Sequence, residues 1–441
     1  MSERIEADYL IETAFAPQHA AEVMAGEQSS GTFLPVPGET PELKERSAAR
    51  VERVEIIGEV ASPSLPGAKR PKGEADAPIQ QARVTLSWPE GNVGPSLPNL
   101  LATLAGNLFE LGEFSGLRLL DLRLTRAFAS AYHGPKFGVA GTRKLAGAPK
   151  GPLIGTIIKP SIGLSAEETA ALVDELCEAG AEVLAQVPAA GSGWSAPTTV
   201  LRAGAENAGL FAASTWIVDA DERVVQVMRV INRHADRTGK KVMFAFNLTG
   251  DLDQMRRRHD LVLEHGGTCI MASIHSVGLT GFVELAKHTA LPVHAHRNGW
   301  GYLTRAPALG FDYPAWMKIW RLAGADHMHV NGIGNKFSEP DDSVVRSARA
   351  AAEPLFDDKP CTVMPVFSSG QTVRQARATF DAVGGDDLIY AAGGGIMAHP
   401  SGPGAGVLSL REAWEAAMTG IDISEHAKTH EALRQALGAF K

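Results

Sequence analysis

The sequence predicts an α/β protein, a C-terminal (β/α)8 barrel preceded by an α+β domain, and three observations lead there. From Leu153 onward, short apolar runs alternate with helical patterns, and eight such runs over roughly 250 residues are the signature of a parallel barrel. Before residue 148, strand-like and helical segments are interleaved without that alternation. A length of 441 residues exceeds what one ordinary core serves, so the expected plan is 1–148 as the α+β domain, 149–420 as the barrel and 421–441 as a helical tail.

In the first domain, strands are expected at residues 9–15, 51–60, 82–88 and 117–124, and helices at 17–25 and 97–111. Residues 62–77, rich in Pro, Gly and Lys, read as surface loop. Two stretches stand out, 27–33 (Glu-Gln-Ser-Ser-Gly-Thr-Phe) and the pair Gly106-Asn107, although a polar loop and a helix end are ordinary structural readings of them.

In the barrel, strands are expected at 153–158, 182–187, 242–247, 269–272, 292–296, 327–330, 362–367 and 388–391. Helical patterns fall between them at 165–179, 221–237, 252–264, 282–288, 313–322, 341–352 and 371–382, with 408–418 after the last strand. The first unit is the most informative. Its apolar run stops at Lys159-Pro160, where proline cannot continue the ladder, and Ser165-Ala-Glu-Glu168 supplies an N-cap with acidic residues in the next helix's first turn. A lysine therefore ends a buried strand, where parallel α/β proteins collect their ligands.

The other strand ends carry a polar set that a packed core does not need. Asn247 ends strand three; His294, His296 and Arg297 end strand five; His327 and His329 lie on strand six, with Lys336 on the glycine-bearing loop beyond it. Strand seven ends in Ser368-Ser369-Gly370 and strand eight in Gly393-Gly394-Gly395, where barrels of this kind hold phosphate on backbone amides. The alternative for the triple glycine is a tight strand-to-helix turn. His294 and His327 also read as hydrogen-bonded core residues, whereas His296 and His329 lie nearer the strand ends. Arg297 offers paired donors to a phosphate or carboxylate, and Lys336 is placed to stabilise a developing enolate.

Bulk properties narrow the class. Hydrophobic residues at 44%, charged residues at 21% and no apolar run near the roughly 18 residues of a membrane helix describe a globular chain. A net charge of -8 without a basic cluster argues against nucleic acid. The opening Met-Ser-Glu-Arg-Ile-Glu has no apolar signal region, so a cytoplasmic location is expected. Cys177, Cys269 and Cys361 are far apart in apolar surroundings and read as buried thiols.

Five segments together resemble the RuBisCO large-subunit superfamily: Gly155-Thr-Ile-Ile-Lys-Pro160, His294-Ala-His-Arg297, Asp326-His-Met-His329 with Lys336, Pro365-Val-Phe-Ser-Ser-Gly370 and Gly393-Gly-Gly-Ile-Met-Ala-His-Pro400. Residues 27–33 with Asn107 carry the likeness into the first domain, whose fold the resemblance makes ferredoxin-like, and the barrel becomes a TIM barrel. The resemblance implies that Lys159 moves the proton in enolisation, and His296 and Lys336 join it as catalytic candidates from their strand-end positions. Arg297, His329 and Ser368, with Ser369 beside it, would hold one phosphate or carboxylate end of the substrate. Gly370, Gly393, Gly394 and Gly395, with Thr32, would hold the other phosphate. Glu27, Thr32 and Asn107 would come from the partner subunit, which implies a homodimer or higher oligomer.

Departures from carboxylating members point to the RuBisCO-like proteins of form IV. Ser161 stands where carboxylases have the second lysine of Lys-Pro-Lys, Ser369 replaces a glycine, and Trp300 replaces a histidine. The phrasing of residues 305–310 and 320–324 also looks like form IV, whose activities include methionine-salvage enolase and isomerase reactions and decarboxylation or transcarboxylation of 3-oxo-isoapionate and its 4-phosphate. The family ends strand two in Lys-Asp-Asp-Glu, which binds Mg2+ through a carbamylated lysine and carboxylates. Here Ala185, Gln186, Val187 and Pro188 stand there, no lysine occurs between Lys159 and Lys240, and residues 181–218 resemble nothing in the family. Asp219, Asp221 and Glu222 are alternative carboxylates, or caps of the following helix. Mg2+ is thus expected from the family while its ligand motif is absent. Three readings stand open: a form IV enzyme acting on a phosphorylated sugar acid or ketose, a binding protein that keeps the ligand grip without the chemistry, and an ordinary enzyme in which 181–218 is an aberrant segment.

Overall fold

The computed structural model describes residues 3–31, 37–160, 163–181, 183–185 and 220–441. Thirteen strands occur among them: β1 (Arg4–Thr13), β2 (Arg50–Val60), β3 (Ile79–Pro89), β4 (Gly116–Arg123), β5 (Leu153–Ile157), β6 (Val183–Ala185), β7 (Met243–Asn247), β8 (Cys269–Ser273), β9 (Val293–His296), β10 (Leu309–Phe311), β11 (His327–Asn331), β12 (Met364–Phe367) and β13 (Ile389–Ala391). Two compact units divide the chain, residues 1–133 with 299–323 and residues 134–298 with 324–441.

The first unit is a five-stranded sheet in the order β10-β4-β1-β3-β2, antiparallel except where β10 joins β4. Strict alternation along β1 buries Ile5, Ala7, Tyr9 and Ile11 on one face. Helix Pro17–Glu27 contributes Ala20, Ala21 and Met24 to the buried set, and helix Leu97–Ala105 contributes Leu97, Leu100 and Leu104. The buried Tyr9 hydroxyl donates to the Leu104 carbonyl at 2.7 Å, so its polar end is satisfied.

Residues 299–323 depart from the alternation read in the sequence. Helix Tyr313–Ala323, expected among the barrel helices, belongs to the first unit. Arg118 on β4 explains why. Its guanidinium donates to Asp312 Oδ1 at 2.6 Å, to Thr304 Oγ1 at 2.6 Å and to the carbonyls of Leu309 and Phe311 at 3.1 and 2.8 Å. Trp300, Phe311, Tyr313, Trp316 and Trp320 pack ring against ring beside it. Periodicity reports that a helix forms, not which sheet it covers.

The second unit is a TIM-barrel-like arrangement of eight parallel strands in the order β11-β12-β13-β5-β6-β7-β8-β9, with β9 also pairing β11. Its interior is built from Leu153, Met243, Ala245, Cys269, Met271, Met364, Val366, Ile389 and Ala391. Continuing those strands in steps of two reaches Lys159, Asn247, Ser273, Ser368 and Gly393, so the polar strand-end residues share the parity of the inward-facing core. After Lys159, Ser165 caps helix Ala166–Glu178 with a reciprocal capping box to Glu168. The three cysteines are free and buried, and burial pushes the Cys177 thiol up to about 12. Thr32, Gln186, Val187, Pro188 and Asp219 lie outside the described residues. Asp221 lies in the first turn of helix Ala220–Thr238 and accepts from Arg257 at 2.6 Å.

Replacing Arg118 by Met removes the donor fork that ties 304–312 to β4. The expected cost is about 2–4 kcal/mol in urea unfolding, with faster amide exchange confined to 300–312. Unchanged exchange there would show that the aromatic cluster alone holds the segment.

Candidate active site

A chain of buried imidazoles organises the second unit's strand ends. His294, His327 and His329 are 1%, 0% and 4% exposed, and burial drives each well below the usual imidazole range, His327 to about 3. All three rings are therefore neutral near pH 7, each with one N–H. Their hydrogen bonds fix which nitrogen bears it. The Thr142 hydroxyl donates to the Gly138 carbonyl, so Thr142 Oγ1 accepts from His327 Nε2 at 2.9 Å. His327 Nδ1 then accepts from His294 Nδ1 at 3.3 Å, and His294 Nε2 accepts from His329 Nε2 at 2.8 Å. His329 Nδ1 is left to accept from the Ser368 hydroxyl at 3.0 Å.

Around this chain the structure gathers the remaining strand-end residues. His296 lies with its ring 4.5 Å from that of His329, and its Nδ1 accepts from the Asn298 amide at 3.1 Å. Burial, helped by the positive charges of Arg297 and Lys159, lowers His296 to about 4. Arg297 donates to Glu339, which also accepts from Asn331 Nδ2 at 2.6 Å and Ser343 Oγ at 2.9 Å. Asn331 Oδ1 in turn accepts from Ser369 Oγ at 3.0 Å.

The lysines and glycines close the circuit. The Lys336 amide donates to the Ser369 carbonyl at 3.2 Å, and a Cβ on Gly370, whose φ is 89°, would lie 3.6 Å from Lys336 Cβ. A Cβ on Gly393 would lie 3.7 Å from Lys159 Cε, and one on Gly395 would stand 2.4 Å from the Gln371 carbonyl oxygen. The triple glycine thus lies against both Lys159 and the turn that follows Ser368-Ser369-Gly370, and at Gly395 only glycine fits. Gly394–Met397 is a short helix, so the tight-turn reading of the glycines also holds. Burial lowers the Lys159 ammonium below its ordinary value, and the nearby charge of Lys336 adds to it.

Lys159, His296, Arg297, His329, Lys336, Ser368, Ser369, Gly370 and Gly393–Gly395 thus lie in one connected neighbourhood. Glu27 and Asn107 are in the first unit, joined by a bond from Asn107 Nδ2 to Glu27 Oε1 at 3.0 Å. Sequence reasoning passed over Glu339, Asn331 and Thr142. Glu339 carried the one usable signal, an acid following a glycine loop that bears a lysine. Thr142 lies in helix Gly138–Ala146, far from every strand end in sequence, and nothing in its surroundings marks it.

The residues that replace the family's metal motif do not fit Mg2+, because alanine, glutamine, valine and proline supply no carboxylate. Among the described residues, the groups of three with metal-ligand spacing are His259, Asp260, His288 and Glu415, His426, His430, none of them a strand-end residue of this site.

The N-terminal part matches the ribulose bisphosphate carboxylase large chain, N-terminal domain, over residues 6–128, and the C-terminal part matches its catalytic domain over residues 213–440. The chain belongs to the RuBisCO large-chain family. Within it, the chain is a RuBisCO-like protein of form IV type. It is 53% identical over 441 residues to a 3-oxo-isoapionate-4-phosphate transcarboxylase/hydrolase of Xanthobacter autotrophicus, covering 100% of both chains. It is 40% identical to a 3-oxo-isoapionate-4-phosphate decarboxylase of Rhizobium rhizogenes, covering 98% of this chain and 97% of the relative. Among solved structures, a RuBisCO-like protein from Burkholderia fungorum superposes with a TM-score of 0.86 at 44% identity, covering 99% and 100% of the two chains. A dimeric archaeal RuBisCO from Hyperthermus butylicus does so at 0.81 and 25%, covering 99% and 96%. The catalytic-domain match begins only at residue 213, so most of the stretch 181–218, which departs from the RuBisCO pattern, lies ahead of it.

The neutral imidazoles have a measurable consequence. Their folded pKa values lie below the unfolded ones, so the unfolded chain binds more protons and stability falls as pH drops below about 6.5. Each ring contributes up to about 1.4 kcal/mol per pH unit, over a window that for His327 extends down to about 3. Urea midpoints at pH 7 and pH 5 should show this loss, with a shallower slope in His327→Gln. Equal slopes in both proteins would mean that the ring is not buried neutral.

Proposed function

We propose that this RuBisCO-like protein is an enzyme that acts on a phosphorylated sugar acid of the 3-oxo-isoapionate 4-phosphate type, breaking a carbon–carbon bond to a carboxylate rather than fixing CO2. The observation that carries the reading is the juxtaposition of Lys159 and Lys336, two lysines whose charges act on each other, with anion-compatible glycine turns beside both. Identity of 53% to the transcarboxylase/hydrolase and 40% to the decarboxylase supports the substrate class. The unbroken circuit of strand pairs supports a closed (β/α)8 barrel as the scaffold.

In a 3-oxo acid the carboxylate is β to a carbonyl. When CO2 leaves, the electron pair of the broken bond passes into that carbonyl and forms an enolate, which a proton then quenches at carbon. Lys159 and Lys336 hold positive charge where the oxyanion develops, and the lowered pKa of Lys159 eases proton movement. His296, neutral at pH 7, is the third catalytic group. Arg297 grips one anionic end, exchanging Glu339 for substrate, while His329, Ser368 and Ser369, whose protons are donated to His294, His329 and Asn331, line that end. Gly370, Gly393, Gly394 and Gly395, with Thr32, hold the phosphate. Glu27, Thr32 and Asn107 are supplied by the partner of a homodimer in the cytoplasm. A methionine-salvage enolase or isomerase would use the same lysines. A non-catalytic binding protein is favoured by one observation, the missing carboxylates after β6.

The decisive assay offers 3-oxo-isoapionate 4-phosphate and the diketo methionine-salvage phosphate, with and without Mg2+, alongside isothermal titration. Turnover of the first is expected. Tight binding without turnover would make the chain a binding protein, and turnover of the second alone would move it to the salvage group. Lys159→Met should lower kcat about 10²–10⁴-fold while ligand affinity stays within a few-fold.

A further inference from the structure

The C-terminal segment carries a second polar cluster that the strand-end site does not use. Glu415 lies on helix Pro403–Thr419, His426 ends the short helix Ile423–His426, and His430 precedes helix Glu431–Ala439. One ligand atom from each of the three residues lies within 4.8 Å of the others. The two imidazoles stack with centroids 3.8 Å apart and planes at 16°.

Two features set this cluster apart from an accidental one. His430 Nδ1 lies 2.7 Å from the His426 carbonyl, which can only accept, so a neutral His430 carries its proton on Nδ1 and presents a bare lone pair on Nε2. The His426 side chain is 8% exposed, and its buried Nε2 has no hydrogen-bond partner. The nearest carboxylate oxygen, Glu415 Oε2, is 3.9 Å away, too far for a hydrogen bond. It is close to the separation of about 3.4 Å expected between two ligands of one tetrahedral cation with bonds of about 2.1 Å. The other candidate, His259-Asp260-His288, differs: Asp260 Oδ1 already accepts from both rings at 2.9 and 2.8 Å, so protons occupy the place of an ion.

We propose that Glu415, His426 and His430 form a binding site for a borderline divalent transition metal, Zn2+ or Ni2+ rather than Mg2+, with the fourth position left to water. Two imidazole nitrogens and one carboxylate oxygen suit such ions, and the bound ion ties the last helices to helix Pro403–Thr419. Glu415, its side chain 61% exposed, completes the site by a rotamer change, and the stacked rings must swing apart so that both Nε2 lone pairs meet one ion.

Isothermal titration of the full-length chain with Zn2+ and separately Ni2+ tests this. One equivalent per chain is expected, with a dissociation constant of about 10 μM or tighter. His430→Gln and Glu415→Gln should weaken binding at least 10-fold, while His288→Gln should leave it unchanged. Should a variant lose its fold, amide exchange of the wild type decides instead, with metal expected to slow exchange across 422–439. Absence of saturable binding, retention of full affinity in His430→Gln, loss in His288→Gln, or unchanged exchange across 422–439 would each overturn the assignment.

Discussion

One hydrogen bond, from the Thr142 hydroxyl to the Gly138 carbonyl, sets the direction of donation along the chain of buried imidazoles. A carbonyl can only accept, so Thr142 must accept from His327, and the one-proton rule carries that direction through His294 and His329 to Ser368. Three polar rings can lie buried among the parallel strands because each N–H and each lone pair meets a partner. The cost of burying them charged is what keeps them neutral, and neutrality in turn keeps the sequence of donors single-valued. Ser368 is the outer end of that sequence. Its hydroxyl is committed inward, so toward a ligand it offers lone pairs, and the amides and cations nearby must do the gripping.

The electrostatics around the chain follow from this. With the imidazoles neutral, positive charge at the strand ends rests on Lys159, Lys336 and Arg297. Glu339 balances Arg297 and fastens it to Asn331, the residue that leads into the Lys336 loop with a left-handed φ of 66°. The carboxylate therefore links the guanidinium to the loop carrying the second lysine. In the proposed function, a ligand anion that takes Glu339's place on Arg297 removes one of the two bonds by which that carboxylate joins the guanidinium to the loop.

How much of this was legible in the sequence depends on the distance over which each feature is encoded. Strand and helix order was legible because it is local, as with the proline after Lys159 and the capping box at Ser165. The strand-end residues were legible because period-two alternation fixes their facing once the strand is known. Helix Tyr313–Ala323 was read as a helix but given to the wrong layer, because the hydrogen bonds that recruit it come from Arg118, almost two hundred residues away. Thr142 was missed for the same reason, since a threonine in a helix acquires its role only from His327, 185 residues away, whereas Glu339 carried a local signal in the loop before it that went unread. Glu27 and Asn107 were singled out only through the likeness, as groups a partner subunit would supply, and the bond between them was not anticipated.

The missing acids after β6 bear on which chemistry this scaffold can support. Adding CO2 to a sugar requires an enediolate to be formed, held and presented to a neutral gas, and a hard cation bound by carboxylates polarises both oxygens throughout. Releasing CO2 from a 3-oxo acid makes lighter demands. The substrate already carries the bond to be broken and the carbonyl that receives its electrons, so what the protein must add is fixed positive charge beside one oxygen and exclusion of water. In the proposed reaction that charge comes from Lys159, half-buried with its ammonium pKa lowered, and from Lys336, whose charge acts on it, without a carboxylate cage. Loss of the strand-two acids is thus selective in its consequences: it removes a carboxylate cage for a hard cation, and leaves in place the two lysines that the proposed decarboxylation calls on.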